Sequence, residues 1–226
     1  MIVIPTFNGE GHLRRLVSAL QQFGTNGHKV CIVDGSSTDP GTLAYLDELR
    51  QGVPELDLAV LTSPNGYELA GVVAAIRTYP EEEYAVVMPD SCWPTSPYWL
   101  QQFHDRLGDA TAVAWIKFQP CLLCCHEGHL EYIDQICGGH DNVPDSGFFG
   151  GILYTKTEAL HKFDQDGRFN YPATCKVHSE AWERIWAILY HLYGYQVNHI
   201  IYGFNFNAVA AGVYPDFRKV FGGRGW

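Results

Sequence analysis

The sequence lacks two features that would place the protein in a membrane or on nucleic acid. It contains no apolar run close to the roughly 20 residues needed to cross a bilayer, so we expect no transmembrane segment. It also has no basic stripe, because 15 Lys and Arg stand against 25 Asp and Glu and give a net charge of -10. This balance argues against nucleic acid as a partner.

The sequence also has no internal repeat, no low-complexity stretch and no obvious linker. With 226 residues, of which 46% are hydrophobic, it predicts one domain with a substantial core. The start of the chain lacks the charged segment of a secretory signal peptide, so we expect a cytoplasmic protein. In that compartment seven cysteines, an odd number, favour reduced thiols or metal ligands over a disulfide framework.

The first ninety residues alternate short apolar runs with stretches of helical periodicity. The apolar runs predict buried strands over 1–5, 29–33, 56–61 and 84–88. The stretches between them carry apolar residues at helical spacing and predict helices over 12–23, 42–49 and 67–78. Strands that alternate with helices predict a parallel sheet with right-handed crossovers.

The pattern changes after Asp90. Helical spacing predicts helices over 98–107, 129–137 and 180–193, and apolar runs predict strands over 111–123, 148–154 and 196–202. We expect the long strand over 111–123 to be bulged at Pro120. Residues 203–226 show no clear period and carry a local basic excess at Arg218, Lys219 and Arg224.

Polar residues gather where the first four predicted strands end. They are Thr6 and Asn8 after the first strand, which stops at Pro5, Asp34 and Ser36 after the second, Asn65 after the third and Asp90 after the fourth, and with Pro5 they make seven strand-end residues. In an open parallel sheet these ends lie along one edge, the carboxyl edge, which is where ligands bind. The sequence therefore predicts a ligand site at that edge.

These strand ends resemble those of the GT-A glycosyltransferases, and in particular the large family-two group. Residues 2–8 and 33–39 resemble the family's first two strand signatures, and 33–39 is the most specific match. Residues 86–90 fall where its metal-binding Asp-x-Asp lies. Residues 150–154 resemble its acceptor-side strand, and residues 179–182 resemble its Glu-Asp-Trp helix.

The resemblance implies a single GT-A-type α/β domain with a mostly parallel central sheet flanked by helices and a Rossmann-like first half. It implies a nucleotide-sugar-binding half (1–95), an acceptor-binding half (96–202) and a tail (203–226) that could close as a lid. The implied reaction is inverting, metal-assisted transfer of a sugar from a nucleoside diphosphate, most often UDP. The acceptor would be a hydroxyl of a glycan, a lipid-linked precursor or a protein.

We expect the seven strand-end residues named above to bind the nucleotide, and the resemblance implies a nucleoside contact for Thr6 and Asp34. Asp34 can accept a hydrogen bond from a uracil N3–H or a ribose hydroxyl, or it could cap the helix that begins near Pro40. We favour the ligand contact, because Asp39 is better placed for the cap. Asn65 could contact the nucleoside or only end its strand in a turn. Asp90 is the expected ligand of Mn²⁺ or Mg²⁺, because one carboxylate with phosphate oxygens and waters suffices for either ion.

Two positions depart from the family pattern. Met88 stands where the first Asp of the Asp-x-Asp would be, and Ala181 stands where the Asp of the Glu-Asp pair would be. We therefore predict Glu180 as the base that takes the acceptor's proton, with Asp145 as its rival and His178 as a third candidate. A retaining enzyme would need no such base.

The same departures leave a second function open, a catalytically degenerate relative that binds a nucleotide-sugar or a glycan. A nucleotidyltransferase is disfavoured, because no glycine-rich basic phosphate loop follows the first strand. On the acceptor side we expect contacts from Gly150, Gly151 and Trp182. The flat face of Trp182 could stack on a sugar, or the residue could belong to the core, since Trp186 lies one helical turn further on.

A run of cysteines and histidines between residues 121 and 140 could hold a structural zinc ion. Its members are Cys121, Cys124, Cys125, His126, His129, Cys137 and His140. The second Cys-x-x-Cys of a zinc ribbon is missing, and Leu122 and Leu123 are typical of a buried strand. We therefore favour buried thiols over a zinc site.

Overall fold

The first half of the chain alternates strands and helices, as its apolar spacing predicts. The computed structural model describes residues 1–65, 67–118, 120–122, 125–141, 143–202, 213–214 and 217–219. Its first seven elements are β1 (Ile2–Thr6), α1 (Glu10–Phe23), β2 (Val30–Asp34), α2 (Pro40–Arg50), β3 (Leu58–Thr62), α3 (Glu68–Thr78) and β4 (Tyr84–Val87). All seven coincide with predicted elements to within a few residues.

The second half adds more elements than its sequence pattern predicts. They are β5 (Cys92–Pro94), α4 (Trp99–Leu107), β6 (Ala112–Phe118), α5 (Glu127–Cys137), β7 (Gly147–Lys156), α6 (Thr157–Gln165), α7 (Lys176–Leu192), β8 (Val197–Tyr202), β9 (Val213–Tyr214) and β10 (Phe217–Lys219). A single 3-10 turn, Arg168–Asn170, precedes α7. The elements that the sequence analysis missed are β5, α6, β9 and β10.

The strands form a seven-stranded sheet in the order β3-β2-β1-β4-β7-β6-β8. Among the described strands of this sheet only β7 runs against its neighbours, and every other pair is parallel. Apolar side chains on one face pack with α3, α5, α6 and α7, and those on the other face pack with α1, α2 and α4. The prediction of a mostly parallel sheet flanked by helices is confirmed.

Two predicted boundaries in the second half are wrong. The register of β6 shifts between Ala114 and Ile116, and Pro120 lies beyond the end of the strand, so the predicted bulge is misplaced. Helix α7 begins at Lys176 rather than at residue 180, because its first turn has one apolar residue, Val177, among three polar ones and so shows no apolar spacing. Glu180 therefore lies in the second turn of α7.

The tail pairs with the first half of the chain where it is described. Strand β10 runs antiparallel to β5 and to β9, and its Lys219 stands opposite Cys92. Phe217 is fully buried and makes edge contacts with the rings of Trp99 and Phe103. Most of the predicted lid over 203–226 lies outside the described residues. None of the helices described here is long and apolar enough to cross a membrane.

Candidate active site

Three buried polar side chains meet at the carboxyl ends of β1, β2 and β4. Thr6 ends β1 and stands in register with Asp34, which ends β2, while Asp90 follows β4. They are 3%, 4% and 4% exposed, respectively. The hydroxyl of Thr6 donates a hydrogen bond to Oδ2 of Asp90 over 2.6 Å. The structure thus brings together the strand-end residues at the centre of the predicted site.

Asp34 points one carboxylate oxygen at its own loop. Its Oδ1 accepts the backbone N–H of Ser37 at 3.0 Å. Its Oδ2 has no hydrogen-bond partner within the described part of the chain. Asp39, and not Asp34, caps α2, because its Oδ2 accepts the backbone N–H of Thr42 at 2.7 Å. Asp34 is therefore left with one oxygen that can accept a further donor.

Asn8 and Ser36 tie the strand-end loops to one another. The side-chain oxygen of Asn8 accepts the backbone N–H groups of Thr38 and Asp39 at 2.8 and 2.9 Å. The hydroxyl of Ser36 donates to the carbonyl of Ser63 at 2.8 Å. Asn8 and Ser36 have positive φ angles of 48° and 62°, which residues other than glycine seldom adopt outside tight loops. These two residues shape the site by holding its loops.

Pro5 and Asn65 also have structural contacts. The side-chain oxygen of Asn65 accepts the backbone N–H of Tyr67 at 3.1 Å, and its Nδ2 donates to the carbonyl of Ala173 at 3.3 Å. Pro5 lies against Gly71 of α3, where a Cβ would come within 3.0 Å of the Pro5 Cβ. Of the two roles that the sequence leaves open for Asn65, these contacts favour the structural one.

The residues near Asp90 fit a divalent cation held by one carboxylate. Asp90 offers oxygen, which Mg²⁺ and Mn²⁺ prefer, and the remaining ligands can be phosphate oxygens and waters. Met88 is fully buried in the apolar core, so the position of the missing Asp cannot supply a second ligand. Within the described ranges no three His, Cys, Asp or Glu side chains come together as a ready-made metal site.

The topology places the predicted bases at the same edge of the sheet. Strand β7 is antiparallel to β4 and pairs Leu153 with Val87, so its earlier residues extend past the end of β4. Gly150 and Gly151 lie in this extension, and the exposed Asp145 lies just before it. Helix α7 leads into the parallel strand β8, so its amino-terminal turns, which carry Glu180, lie at the carboxyl edge.

Glu180 has two charged or polar neighbours. Its Oε2 lies 3.3 Å from Nε2 of His129, and its Oε1 lies 3.6 Å from Nζ of Lys176. The Glu180 side chain is 46% exposed and can be reached from outside. The neighbouring Ala181 is fully buried in the core, where a carboxylate would be unsolvated. Of these two positions, only Glu180 presents a carboxylate that solvent can reach.

His178, the third candidate base, lies on the same helix as Glu180, and its ring already contacts Tyr132 and Thr174. Its ring stacks on Tyr132 with 3.9 Å between centroids and an interplanar angle of 4°. Its Nδ1 lies 3.3 Å from the backbone N–H of Thr174, which donates to it. These contacts favour Glu180 over His178 as the group that meets an acceptor.

Trp182 belongs to the core. It is 3% exposed, packs on Phe169 and Trp186, and donates its indole N–H to the hydroxyl of Tyr132 at 3.2 Å. Its flat face is therefore covered, which corrects the expectation that it stacks on an acceptor sugar. Beside it a narrow cleft separates α3, β7 and α7, lined by Tyr67, Glu68, Leu69, Phe148, Ala173, Ser179, Trp182, Glu183 and Trp186.

The cysteine and histidine run does not form a zinc site in the described part of the chain. Cys121 and Cys137 are buried, and burial raises the pKa of each thiol to about 12. His129 contacts Glu180, and Nδ1 of His140 lies 2.6 Å from a carboxylate oxygen of Asp134. Cys124 lies outside the described residues. The contacts favour buried thiols, in line with the sequence analysis.

A comparison with protein families shows which family the chain belongs to. Residues 1–133, more than half of the chain, match the sequence model described as Glycosyl transferase family 2. The chain belongs to glycosyl transferase family 2. The match covers β1 to β4 and extends into α5, so it includes Thr6, Asp34 and Asp90. A search of curated proteins finds no match to the chain.

Solved structures of glycosyltransferases share the fold. One is the mannosyltransferase PcManGT from Pyrobaculum calidifontis in complex with GDP-Man and Mn²⁺, with 16% identity, a TM-score of 0.56 and coverage of 89% of this chain and 55% of that one. Another is S. aureus TarS 1-349 in complex with UDP, with 17% identity, a TM-score of 0.53 and coverage of 88% and 56%. The chain spans slightly more than half of each, and the likeness confirms the GT-A fold.

The sequence pattern does not predict the contact between His129 and Glu180. His129 attracts attention in the sequence only as a zinc candidate, whereas in the structure it faces Glu180. The two residues are 51 positions apart, and no local spacing connects them.

Proposed function

We propose that this chain transfers a sugar from a UDP-sugar to an acceptor hydroxyl, with inversion at the sugar carbon and with help from Mn²⁺ or Mg²⁺. The observation that carries the proposal is the buried group of Thr6, Asp34 and Asp90 at neighbouring strand ends. An acidic family-two chain needs a polar site of this kind to hold a nucleoside diphosphate. Membership of glycosyl transferase family 2 supports the proposal.

Asp34 supports uracil as the base of the donor. Its Oδ1 is taken by the N–H of Ser37, so Oδ2 is left to accept from a ligand. Uracil offers one N–H donor on its pairing edge, whereas guanine offers two adjacent donors that suit both oxygens of a carboxylate. A single open oxygen therefore matches uracil better. TarS is solved with UDP and with UDP-GlcNAc, and PcManGT with GDP-Man.

Asp90 is the proposed ligand for the divalent cation. When bound, the cation would act as a Lewis acid that offsets the negative charge of the leaving diphosphate. The Thr6 hydroxyl donates to Oδ2 of Asp90 and so fixes the orientation of this carboxylate. Strand β10 pairs with β5, which begins two residues after Asp90, so the basic Arg218 and Lys219 belong to a segment docked beside the site.

Glu180 is the proposed base. In an inverting transfer the acceptor oxygen forms a bond to the anomeric carbon while the bond from that carbon to the diphosphate breaks. The acceptor's proton passes to the Glu180 carboxylate, and the electron pair of the broken bond leaves with the diphosphate. The half-exposed side chain of Glu180 at the carboxyl edge supports this role, and the exposed Asp145 is the rival.

The second candidate function is a degenerate relative that binds a nucleotide-sugar or a glycan without turnover. The absence of a carboxylate at positions 88 and 181, both of which are buried in the core, favours it. In this case the group around Thr6 and Asp34 would bind the nucleotide, but no transfer would follow.

Donor hydrolysis separates the two functions. The purified chain is incubated with UDP-GlcNAc or GDP-mannose and Mn²⁺, and release of the nucleoside diphosphate is followed. We expect turnover of a donor by the wild type and a loss of about 10²- to 10⁴-fold in Glu180→Gln with donor binding retained. Glu158→Gln on α6, at the opposite edge of the sheet, is the control. Binding of a donor without any turnover by the wild type would support the degenerate relative.

A further inference from the structure

His129 is a buried polar residue that the proposed function does not yet use. It lies on α5, is 6% exposed, and places Nε2 3.3 Å from Oε2 of Glu180 on α7. The two helices pack against each other through the core on one face of the sheet. The contact therefore joins a rigid, buried imidazole to a carboxylate that is half-exposed.

The second ring nitrogen of His129 determines where the imidazole proton lies. Nδ1 is 3.2 Å from the backbone N–H of His126, the residue before α5. A backbone N–H can only donate, so Nδ1 must be unprotonated to accept it. The neutral imidazole then carries its proton on Nε2, the atom that faces Glu180.

This arrangement allows His129 to hold Glu180 but not to take its proton. Nε2 already carries a proton, and the lone pair of Nδ1 accepts from the backbone of His126. The ring of His126 also lies against that of His129, with 3.8 Å between centroids, which restricts rotation of the imidazole. Both ring nitrogens of His129 therefore already have hydrogen-bond partners, the backbone of His126 and the carboxylate of Glu180.

We propose that His129 is a positioning residue for Glu180: its Nε2–H holds Oε2 of the carboxylate and leaves Oε1 for the acceptor hydroxyl. This inference rests on the proposed function, because it takes Glu180 as the base. A free glutamate side chain samples several rotamers, and a base works only within hydrogen-bond reach of the proton it removes. Lys176 reaches Oε1 from a side chain that is 60% exposed, and such surface ion pairs restrain little.

Nitrogen spectra of the imidazoles test the contact without any substrate. The full chain is labelled with ¹⁵N-histidine, and the His129 signals are assigned from their loss in His129→Gln. We expect Nδ1 to be unprotonated and Nε2 protonated at neutral pH, and we expect the Nε2 signal to shift in Glu180→Ala. A proton on Nδ1, or an Nε2 signal of His129 that does not shift in Glu180→Ala, would overturn the proposal.

Kinetics of three variants test what the contact does. With whichever of UDP-GlcNAc and GDP-mannose the wild type hydrolyses, we expect His129→Leu to lower kcat by roughly tenfold to a hundredfold and to change the donor KM by less than about twofold. His129→Gln should recover most of the loss, because its amide N–H can replace Nε2–H. His140→Gln, which alters a similar histidine–carboxylate pair after α5, should be unaffected.

The outcomes separate this proposal from the function on which it rests. An unchanged kcat in a folded His129→Leu, or equal loss in His129→Leu and His129→Gln, would contradict the positioning role. Full activity of Glu180→Gln would instead show that the proposed base is wrong. If the wild type hydrolyses neither donor, the proposed function fails, and the nitrogen spectra alone decide whether His129 holds Glu180. Thermal melting of each variant checks that it is folded.

Discussion

Thr6 and Asp90, 84 positions apart in the chain, meet in a buried hydrogen bond in which the Thr6 hydroxyl donates to Oδ2 of Asp90 over 2.6 Å. The bond links the end of β1 to the residues after β4. It leaves Asp90 as a carboxylate with a fixed orientation at the edge of the sheet. The bond therefore connects the stability of the fold to the geometry of the proposed metal ligand.

Replacement of Thr6 tests this connection. In Thr6→Val the buried hydrogen bond from the Thr6 hydroxyl to Oδ2 of Asp90 is lost, so we expect the free energy of unfolding to fall by about 1–3 kcal/mol. We also expect UDP to bind more weakly in the presence of Mn²⁺. Urea unfolding and calorimetric titration measure the two effects. Thr6→Ser keeps a hydroxyl and should behave like the wild type; a loss as large as that of Thr6→Val would contradict this explanation.

Replacement of Asp34 and replacement of Asp90 should affect UDP binding in different ways when Mn²⁺ is removed. Asp34→Ala removes the acceptor proposed for the nucleoside, so we expect UDP affinity to fall about tenfold or more with Mn²⁺ and with EDTA alike. Asp90→Asn should weaken binding only when Mn²⁺ is present. Asp57→Asn, at an exposed ion pair with Lys29, is the control. The same metal dependence in both variants would show that the two roles are not separate.

Gly71 should be required for the contact between α3 and β1. A Cβ at this position would lie 3.0 Å from Cβ and 3.1 Å from Cγ of Pro5, which is tighter than nine in ten real Cβ contacts, so Pro5 or α3 would have to shift by a few tenths of an ångström. We expect Gly71→Ala to lower the free energy of unfolding by about 1–3 kcal/mol. Gly11→Ala in α1 is the matched control, because its Cβ meets nothing within 4 Å and alanine favours a helix. Equal stability of the two variants in urea would refute this packing argument.

His199 should make stability depend on pH. Burial, with a smaller effect from Lys117, lowers the pKa of His199 to about 4, whereas an unfolded histidine titrates near 6.5. Between these values the unfolded chain binds a proton that the folded chain does not. The stabilisation is therefore present above about pH 6.5 and is lost as pH falls toward about 4, with a slope of up to about 1.4 kcal/mol per unit.

His199→Gln tests the assignment because it removes this titration. Urea unfolding at pH 7 and at pH 5 should show a larger loss of stability in the wild type than in the variant. His28, whose pKa burial also lowers, is present in both proteins and cancels in the difference. An equal pH dependence in the two proteins would show that His199 titrates normally in the folded chain.

The sequence predicts the first half of the fold well because the signals there are local. Alternating apolar runs and helical spacing give β1 to β4 and α1 to α3, and the choice of Asp39 over Asp34 as the helix cap follows from its position before Pro40. The group of Thr6, Asp34 and Asp90 follows from strand ends that meet at one edge.

The second half depends on contacts that no local pattern shows. Pairing of β10 with β5 joins Phe217 to Pro94, and burial of Phe217 against Trp99 exists only once that pairing has formed. The contact between His129 and Glu180 likewise needs α5 to pack on α7. The spacing of Trp182 and Trp186 fits both a core and a binding surface, and only the packing around them identifies the core.

The proposed donor site is tested by calorimetric titration of the folded chain with UDP and with GDP, each in Mn²⁺ and in EDTA. We expect UDP to bind more tightly than GDP, and we expect Mn²⁺ to strengthen the binding of UDP. That result would support a nucleoside diphosphate site built from Asp34 and Asp90. Failure of both nucleotides to bind a chain shown to be folded would contradict the proposed donor site and, with it, the proposed sugar transfer.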